Sequence, residues 1–290
     1  MKYFKFILNN IIKGKISHLL FILYLFITVF PLFWIFSMAF KTPSAITAIP
    51  PRIIFSPTFA NFREAFVKII LEGADRGQVN VPEAIFNSTI IVGAAVVISV
   101  ILALPAAYAF AKMSFKGKEN FAFTILSIRF APFLVVIVPL LEIYRGLGWN
   151  DTYLGMILSY QLITLPMTVW ILRSFFKDIP DAIIESAEID GASLFDKFRF
   201  IFIPILKPGI AASIIISFIF GWHQLTLPLI LGGSNTRTVT LAMQGFIGHE
   251  RVLWGQMAAG ILVASIPAIL VAAFFSKYIV RGITLGAVKE

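Results

Sequence analysis

The sequence has no cysteine among its 290 residues. This absence excludes disulfide bridges, thiolate metal sites and a cysteine nucleophile. Charged residues are also scarce at 13%, about half the share of an ordinary soluble domain. Because 59% of the residues are apolar, the apolar surface exceeds what one core of this size could bury, and part of it must face lipid.

The net charge of +9 does not indicate nucleic-acid binding. Lysine and arginine occur in short clusters between apolar runs and form no continuous basic face. The positive charge therefore belongs to the loops of a membrane protein.

Several chemical sites are missing as well. No acidic residue lies deep inside an apolar run, although transporters driven by proton or sodium gradients usually keep a carboxylate at membrane depth. No G-x-x-x-x-G-K-[ST] phosphate loop occurs, so any ATP must bind to another subunit. His18, His223 and His249 lie in different segments, and the clustered acids of a membrane enzyme are absent. We therefore expect no catalytic, cofactor or metal site in this chain.

Six stretches are long and apolar enough for membrane-crossing helices, which need about 20 mostly apolar residues each. They are residues 19–40, 86–111, 120–142, 152–172, 208–231 and 256–276. We predict an all-α integral membrane protein with six transmembrane helices. The first run is too long to be the apolar region of a cleaved signal peptide.

The distribution of lysine and arginine predicts the orientation of these helices. The larger share precedes the first run, follows the second and fourth, or ends the chain. Both termini are therefore predicted to be cytoplasmic. Residues 1–82 would hold the N-terminal tail, first helix and external loop, residues 83–277 a five-helix core, and residues 278–290 a cytoplasmic tail. Within the external loop, apolar spacing at 61–71 predicts a short interfacial helix.

The cytoplasmic loop at 178–207 carries clear helix signals. Pro180 and Asp181 suit a first helical turn, and Gly191 can end the helix in the left-handed conformation. Ser193 and Asp196 stand at capping-box spacing and predict the start of a second helix. The loop should therefore be a helix-turn-helix that projects into the cytoplasm.

The first of these helices has an apolar edge. Ile183, Ala187 and, less squarely, Ile184 fall on one side of it. We expect this edge to insert into a groove of a partner protein.

At this loop the sequence resembles a known family. Glu185-Ser186-Ala187, then Gly191, then Ile203-Pro204 resemble the E-A-A-x-x-x-G-x9-I-x-L-P signature of permease subunits in binding-protein-dependent ABC importers. Ser186 replaces the Ala at the second position of the signature, and Ile203 replaces the Leu. Three further stretches resemble the carbohydrate branch of this family: the run LPAAYA at 104–109, the extension of the loop signature to Ser193, and the C-terminal run at 280–289. Within that branch, the chain resembles the second permease subunit of importers for maltose, trehalose or sugar alcohols.

The resemblance implies an ABC type I importer permease fold in the cytoplasmic (inner) membrane. This chain would form half of the translocation pore with a second permease, and two cytoplasmic ATPase subunits would bind ATP and magnesium. An extracytoplasmic sugar-binding protein would deliver the substrate. The resemblance assigns contact with the ATPase to Glu185, Ser186, Ala187, Asp190, Gly191 and Pro204. The alternative is a gradient-driven secondary transporter or channel for small polar solutes, which the missing intramembrane acid disfavours.

Polar residues within the predicted spans are candidates for the substrate pathway. Arg129 lies inside the third span, where an unpaired guanidinium costs about 2.5–3.5 kcal/mol or more. It is either a donor to substrate hydroxyls or a structural hydrogen-bond donor. Trp222, His223 and Gln224 stand where the carbohydrate branch usually has Trp-Asn-Glu. They can stack on sugar and bond to its hydroxyls, or pack between helices.

Overall fold

The computed structural model describes residues 2–68, 79–130, 133–248 and 252–286. Every regular element within these ranges is helical, apart from one isolated β-bridge between Ile247 and Val252. The all-α class is therefore confirmed for the described part of the chain.

The chain first forms α1 (Lys2–Ala39), α2 (Pro43–Ile46), α3 (Ala60–Phe62, continued by a π turn at Arg63–Lys68), α4 (Val81–Lys112), α5 (Lys118–Ser127, followed by a 3-10 turn at Ile128–Phe130) and α6 (Phe133–Leu147). It then forms α7 (Tyr153–Lys177), α8 (Asp181–Ile189), α9 (Leu194–Ile205, π-wound at Lys197–Phe202), α10 (Lys207–Trp222), α11 (Thr226–Leu231), α12 (Val239–Gln244) and α13 (Trp254–Gly286).

Four described helices are long and apolar enough to cross a membrane. They are Ser17–Ala39 of α1, the whole of α4, the whole of α7, and Trp254–Ile279 of α13. A fifth crossing results if α9 and α10, which are bent by 75° at their junction, form one broken span. The chain is thus a multi-pass helical membrane protein.

The predicted third and fifth spans are interrupted. The third falls on α5 and α6, which have 10 and 15 residues. Between them lie a 3-10 turn and residues 131–132, which are outside the described ranges. The fifth falls on α10 and α11, with residues 223–225 between them.

One compact unit contains residues 1–79 and 246–263. In it, the Asn61 amide donates to the carbonyls of Ala39 at 2.9 Å and Lys41 at 2.8 Å, which satisfies groups that the end of α1 leaves without partners. Gly255 is required beside this cap, because a Cβ there would lie 2.3 Å from Asn61 Oδ1. The helix predicted at 61–71 is observed from Ala60 to Lys68, and its last residues lie outside the described ranges.

The second unit contains residues 80–245 and 264–290. Its long helices α4, α7 and α10 are joined by buried hydrogen bonds between side chains. Ser99 Oγ lies 2.7 Å from Gln161 Oε1, and Thr168 Oγ1 lies 2.9 Å from Ser217 Oγ. Small polar residues of this kind let helix backbones approach closely in a membrane protein.

The loop between α11 and α12 is held by the starts of α4 and α7. The Asp151 carboxylate accepts hydrogen bonds from the Asn235 and Thr236 amides at 3.1 and 2.9 Å. The Asn87 amide donates to the carbonyls of Asn235 and Arg237 and accepts from the Tyr153 hydroxyl. The sequence alone does not predict this network, because its members are far apart along the chain.

Candidate functional site

The turn after α8 has the predicted left-handed glycine. Gly191 has φ = +76°, its amide donates to the Glu188 carbonyl at 3.1 Å, and the Ala192 amide donates to the Ala187 carbonyl at 2.9 Å. These two bonds form a Schellman motif, which ends a helix by satisfying its last carbonyls.

The second helix of the hairpin begins with the predicted capping box. The Asp196 amide donates to Ser193 Oγ at 3.2 Å, and the Ser193 amide donates to the Asp196 carboxylate at 3.2 Å. The predicted helix-turn-helix is therefore confirmed, and α8, the Gly191 turn and the start of α9 are called the hairpin below.

The apolar edge of α8 is not free, contrary to the expectation from the sequence. Ile184 and Ala187 are 8% and 6% exposed, and Ile184 packs in a core cluster with Phe176, Phe202 and other apolar residues of this chain. The short connections on either side of α8 keep it against α7 and α9, so these apolar side chains find partners within the chain. Ile183 stays partly exposed at 37%.

The exposed surface of the hairpin consists mainly of the other residues. Glu185, Ser186, Asp190 and Gly191 are exposed, as is Pro204 at the far end of α9. Ile189, Leu194 and Phe195 add exposed apolar surface beside the turn, with Ile189 87% exposed. Of the six residues assigned to the ATPase contact, Ala187 alone is buried.

Two lysines, one buried and one largely buried, hold α8 at its ends. Lys112 Nζ, at the end of α4, lies 2.7 Å from Asp181 Oδ1 and 2.5 Å from the Ile179 carbonyl. Lys197 Nζ, in α9, lies 2.8 Å from Glu188 Oε1. The lysine side chains are 11% and 8% exposed, so each needs its partner to compensate for lost hydration.

The helix dipole treats these two carboxylates differently. Asp181 lies in the first turn of α8, where negative charge is favourable, and Glu188 lies near its end, where it is unfavourable. Lys197 therefore offsets the unfavourable interaction of Glu188 with the helix dipole, whereas Asp181 has no such interaction to offset. In the sequence these lysines indicate only the orientation of the helices. The position of Lys197, just across the predicted turn from Glu188, is the signal that could have predicted their pairing.

Arg173 braces the neighbouring helices. Its Nη2 lies 2.5 Å from Glu119 Oε1 at the start of α5, and its Nε donates to the Phe110 carbonyl of α4 at 3.2 Å. The hydrogen bond from Arg173 holds the pKa of the Glu119 carboxyl below its usual range. The ends of α4, α5 and α7 are thus joined beside the hairpin.

Arg129 lies in the 3-10 turn between α5 and α6. Its guanidinium carbon is 4.0 Å from the centroid of the Phe220 ring in the last turn of α10. Its Nη1 is buried and has no hydrogen-bond partner among the described residues. The structure therefore brings Arg129 close to the segment that contains the other pathway candidates.

Those other candidates have different environments. Trp222 is 5% exposed, stacks on Phe218 and donates to the Ala264 carbonyl at 3.1 Å, so its ring faces are in the protein core. His223 is exposed, with Nδ1 2.8 Å from the Ile219 carbonyl. Gln224 is half-buried in the break between α10 and α11, and its side-chain amide has no hydrogen bond within the described ranges.

No cluster of three or more His, Cys, Asp or Glu side chains that could hold a metal ion occurs in the part of the chain that the structure describes.

Comparison with known proteins shows that this chain is similar to membrane components of transport systems. Residues 99–285 match the family described as "Binding-protein-dependent transport system inner membrane component". The chain is 35% identical over 265 residues to the trehalose transport system permease protein SugB of Mycobacterium tuberculosis (strain CDC 1551 / Oshkosh), which covers 89% of this chain and 92% of the relative. It is 29% identical to the trehalose/maltose transport system permease protein MalG of Thermococcus litoralis, over 92% of this chain and 94% of the relative.

A solved structure has the same fold. A chain in the crystal structure of a bacterial ABC transporter involved in the import of the acidic polysaccharide alginate superposes with a TM-score of 0.73, over 92% of this chain and 96% of the other. Because the sequence identity is 21%, this likeness concerns the fold alone.

Proposed function

This chain belongs to the family of inner membrane components of binding-protein-dependent transport systems, and on that basis we propose that it is a permease subunit of an ATP-driven carbohydrate importer. The family consists of non-catalytic permease subunits, so the chain is a transport subunit and not an enzyme. The observation that carries the proposal is the hairpin, which presents Glu185, Ser186 and Gly191 of the family signature on an exposed surface.

A carbohydrate substrate is supported by the names of several relatives. These include permeases for trehalose, for trehalose and maltose, and for diacetylchitobiose. All three are oligosaccharides of two sugar units, so we assign this chain a small oligosaccharide as its substrate class.

The proposed architecture has six crossings of the inner membrane, with both termini in the cytoplasm. The third crossing would combine α5 with α6, and the fifth would combine α10 with α11, each with a break in the middle. Irregular backbone at membrane depth is tolerated where it lines a cavity, which suits a pore subunit. The division into residues 1–82, 83–277 and 278–290 follows from this topology.

The proposed assembly contains a second permease, two cytoplasmic ATPase subunits that hold ATP and magnesium, and an extracytoplasmic sugar-binding protein. Glu185, Ser186, Asp190 and Gly191 of the hairpin would contact an ATPase subunit. Ala187 would position them from the buried side of α8. Pro204 would act at the far end of α9.

The ion pairs of the hairpin would transmit movement at the ATPase contact to the membrane helices. A displacement of α8 would move the end of α4 through Asp181 and Lys112. It would also move α9, and with it α10, through Glu188 and Lys197. Packed, hydrogen-bonded elements transmit such motion as near-rigid bodies.

The proposed substrate pathway follows the two helix breaks. Arg129 and Gln224 each lie at a break. Arg129 Nη1 is buried without a hydrogen-bond partner among the described residues, and the Gln224 side chain is half-buried in the chain's other break. Substrate hydroxyls could bond to both side chains. His223 lies beside them. Trp222 would support this segment from the core and would not stack on sugar.

Co-purification from the native membrane tests the proposed function. The tagged chain should bring with it a nucleotide-binding ATPase and a second polytopic membrane subunit. Vesicles that contain the complex should take up a labelled disaccharide, trehalose or maltose, only when both the binding protein and ATP are present. Isolation of the chain alone, with uptake driven by an ion gradient, would instead establish the secondary transporter.

The same preparation tests the pathway through Gln224→Leu. Uptake should fall about 5- to 150-fold at normal complex yield, because lost hydrogen bonds to substrate cost about 1–3 kcal/mol. Gln161→Leu is the matched control, since Gln161 bonds to Ser99 and to the Ala95 carbonyl within the chain. It should lower the yield instead. Normal uptake by Gln224→Leu would remove Gln224 from the pathway.

A further inference from the structure

A small cavity lies at the C-terminal end of α7, apart from the hairpin surface and the helix breaks. Its volume is about 130 Å³, and its lining is Trp170, Arg173, Ser174 and Lys177. These positions follow the i, i+3, i+4, i+7 spacing of one helix face, so they form a single stripe over the last two turns. Only Arg173 has a role so far, as the brace described above.

The position of the cavity places it at the edge of the bilayer. Helix α7 is one of the four helices that can cross the membrane, and Lys177 is its last residue. Tryptophan is enriched at this depth, where its ring lies among the lipid headgroups. Trp170 is 39% exposed and therefore presents its ring to the surroundings of the helix.

The charge around the cavity is positive. Arg173 donates a hydrogen bond to the Glu119 carboxylate. This bond lowers the pKa of Glu119, as do the charges of Arg173, Lys177 and Lys118. Lys177 and Lys118 thus lie close enough to Glu119 to add to the effect of Arg173 on this carboxylate. No carboxylate among the described residues lies within ion-pair distance of the Lys177 ammonium, which leaves this charge for an external anion.

The remaining features limit the class of anion. Ser174 is exposed and adds a hydroxyl donor beside Lys177. Basic pockets at the membrane surface are suited to anionic lipid headgroups.

We propose that this cavity binds the phosphate of an anionic phospholipid such as phosphatidylglycerol, with Lys177 and Arg173 facing the charge, Ser174 donating a hydrogen bond and Trp170 lying against the glycerol region. This headgroup site is additional to the transport function and does not depend on which sugar is carried. It would anchor the end of α7, and so the base of the hairpin, to the membrane surface.

Native mass spectrometry of the purified complex tests this site. The complex is released from nanodiscs of equal phosphatidylglycerol and phosphatidylcholine, and retained lipids are counted for wild type, Lys177→Gln and Lys177→Arg. Lys177→Gln should retain phosphatidylglycerol about fivefold less well, which corresponds to about 1 kcal/mol for one cation near an anionic surface. Lys177→Arg should retain it as the wild type does.

Lys116→Gln is the matched control, because Lys116 is exposed in the nearby loop between α4 and α5 and lies outside the cavity. Its lipid retention should equal that of wild type. Equal retention by Lys116→Gln and Lys177→Gln would overturn the site. An excess of inorganic phosphate should not displace the lipid, and displacement would reassign the cavity to a soluble anion. Lipid retention by the purified complex is counted without any transport step, so a failure of sugar uptake would not be mistaken for a failure of this site.

Discussion

At the scale of single residues, Gly191 has the most sharply defined requirement. Its φ of +76° belongs to the left-handed region, which costs other residues about 1–2 kcal/mol. A Cβ at this position would have no atom within 4 Å. The constraint is therefore conformational, and a larger side chain would strain the turn without a steric clash.

Gly191→Val should uncouple transport from ATP hydrolysis. The strained turn would redirect the exposed hairpin residues, while membrane insertion and assembly with the second permease should persist. The measurement is the amount of sugar carried per ATP hydrolysed in proteoliposomes, which should fall several-fold.

Gly117→Val is the control for that experiment. Gly117 also has a positive φ, +78°, and lies outside the hairpin, at the start of α5. It should show a similar loss of stability with an unchanged ratio of transport to hydrolysis. If both variants kept the wild-type ratio, the Gly191 turn would have no part in coupling.

At the scale of elements, the pairing of α8 with α9 is the testable feature. The pair of Lys197 and Glu188 joins a buried cation to a half-exposed carboxylate. Removing one partner should therefore lower the free energy of unfolding by an intermediate amount. The bounds are about 1 kcal/mol, as for an exposed pair, and about 3 kcal/mol, as for a fully buried pair.

Exchanging these two charges should separate coupling from simple stability. Lys197→Glu alone would place two carboxylates together and should lower sugar uptake per ATP. Adding Glu188→Lys should restore most of it, since the pair is reformed and a cation near the end of α8 is favoured by the helix dipole. Uptake and ATPase rates in proteoliposomes measure both effects.

The pair of Arg145 and Glu142 in α6 is a matched control. Its side chains are 60% and 67% exposed, so the same exchange should change neither rate measurably. A double exchange at Lys197 and Glu188 that restored folding yield but not uptake per ATP would show that this pair only stabilises the hairpin.

At the scale of the whole molecule, the lack of cysteine allows the proposed topology to be mapped directly. Single cysteines can be introduced at exposed loop positions with no background from the chain itself. Suitable sites, in chain order, are Ser44, Ser114, Asn150, Ser186 and Ser234.

A membrane-impermeant maleimide should label these positions alternately. In intact cells it should reach the first, third and fifth, and after permeabilisation it should reach the second and fourth as well. The alternation follows from one crossing between each successive pair of sites. Labelling of Asn150→Cys only after permeabilisation would contradict a third crossing built from α5 and α6, and with it the six-span arrangement.

Local features of the sequence were sufficient to predict much of this protein. The helical class, the hairpin at 178–207, its Gly191 turn and its Ser193 capping box are encoded in residue types a few positions apart. Helix caps and turns depend on nearby backbone groups, so a short stretch of sequence contains all the partners that they need. The family signature lies in the same short segment.

The tertiary structure decided which side chains remain exposed for contact with a partner protein or a substrate. Ile184 and Ala187 belong to a plausible docking edge by periodicity, yet they are buried in the chain's own core. Trp222 likewise turns inward to Ala264, while Arg129 meets Phe220 some ninety positions away in the sequence. Periodicity assigns a residue to a face of its helix but does not say which other helix covers that face. The ion pairs of Lys112 with Asp181 and of Arg173 with Glu119 depend on the same long-range packing, so only the folded chain could reveal them.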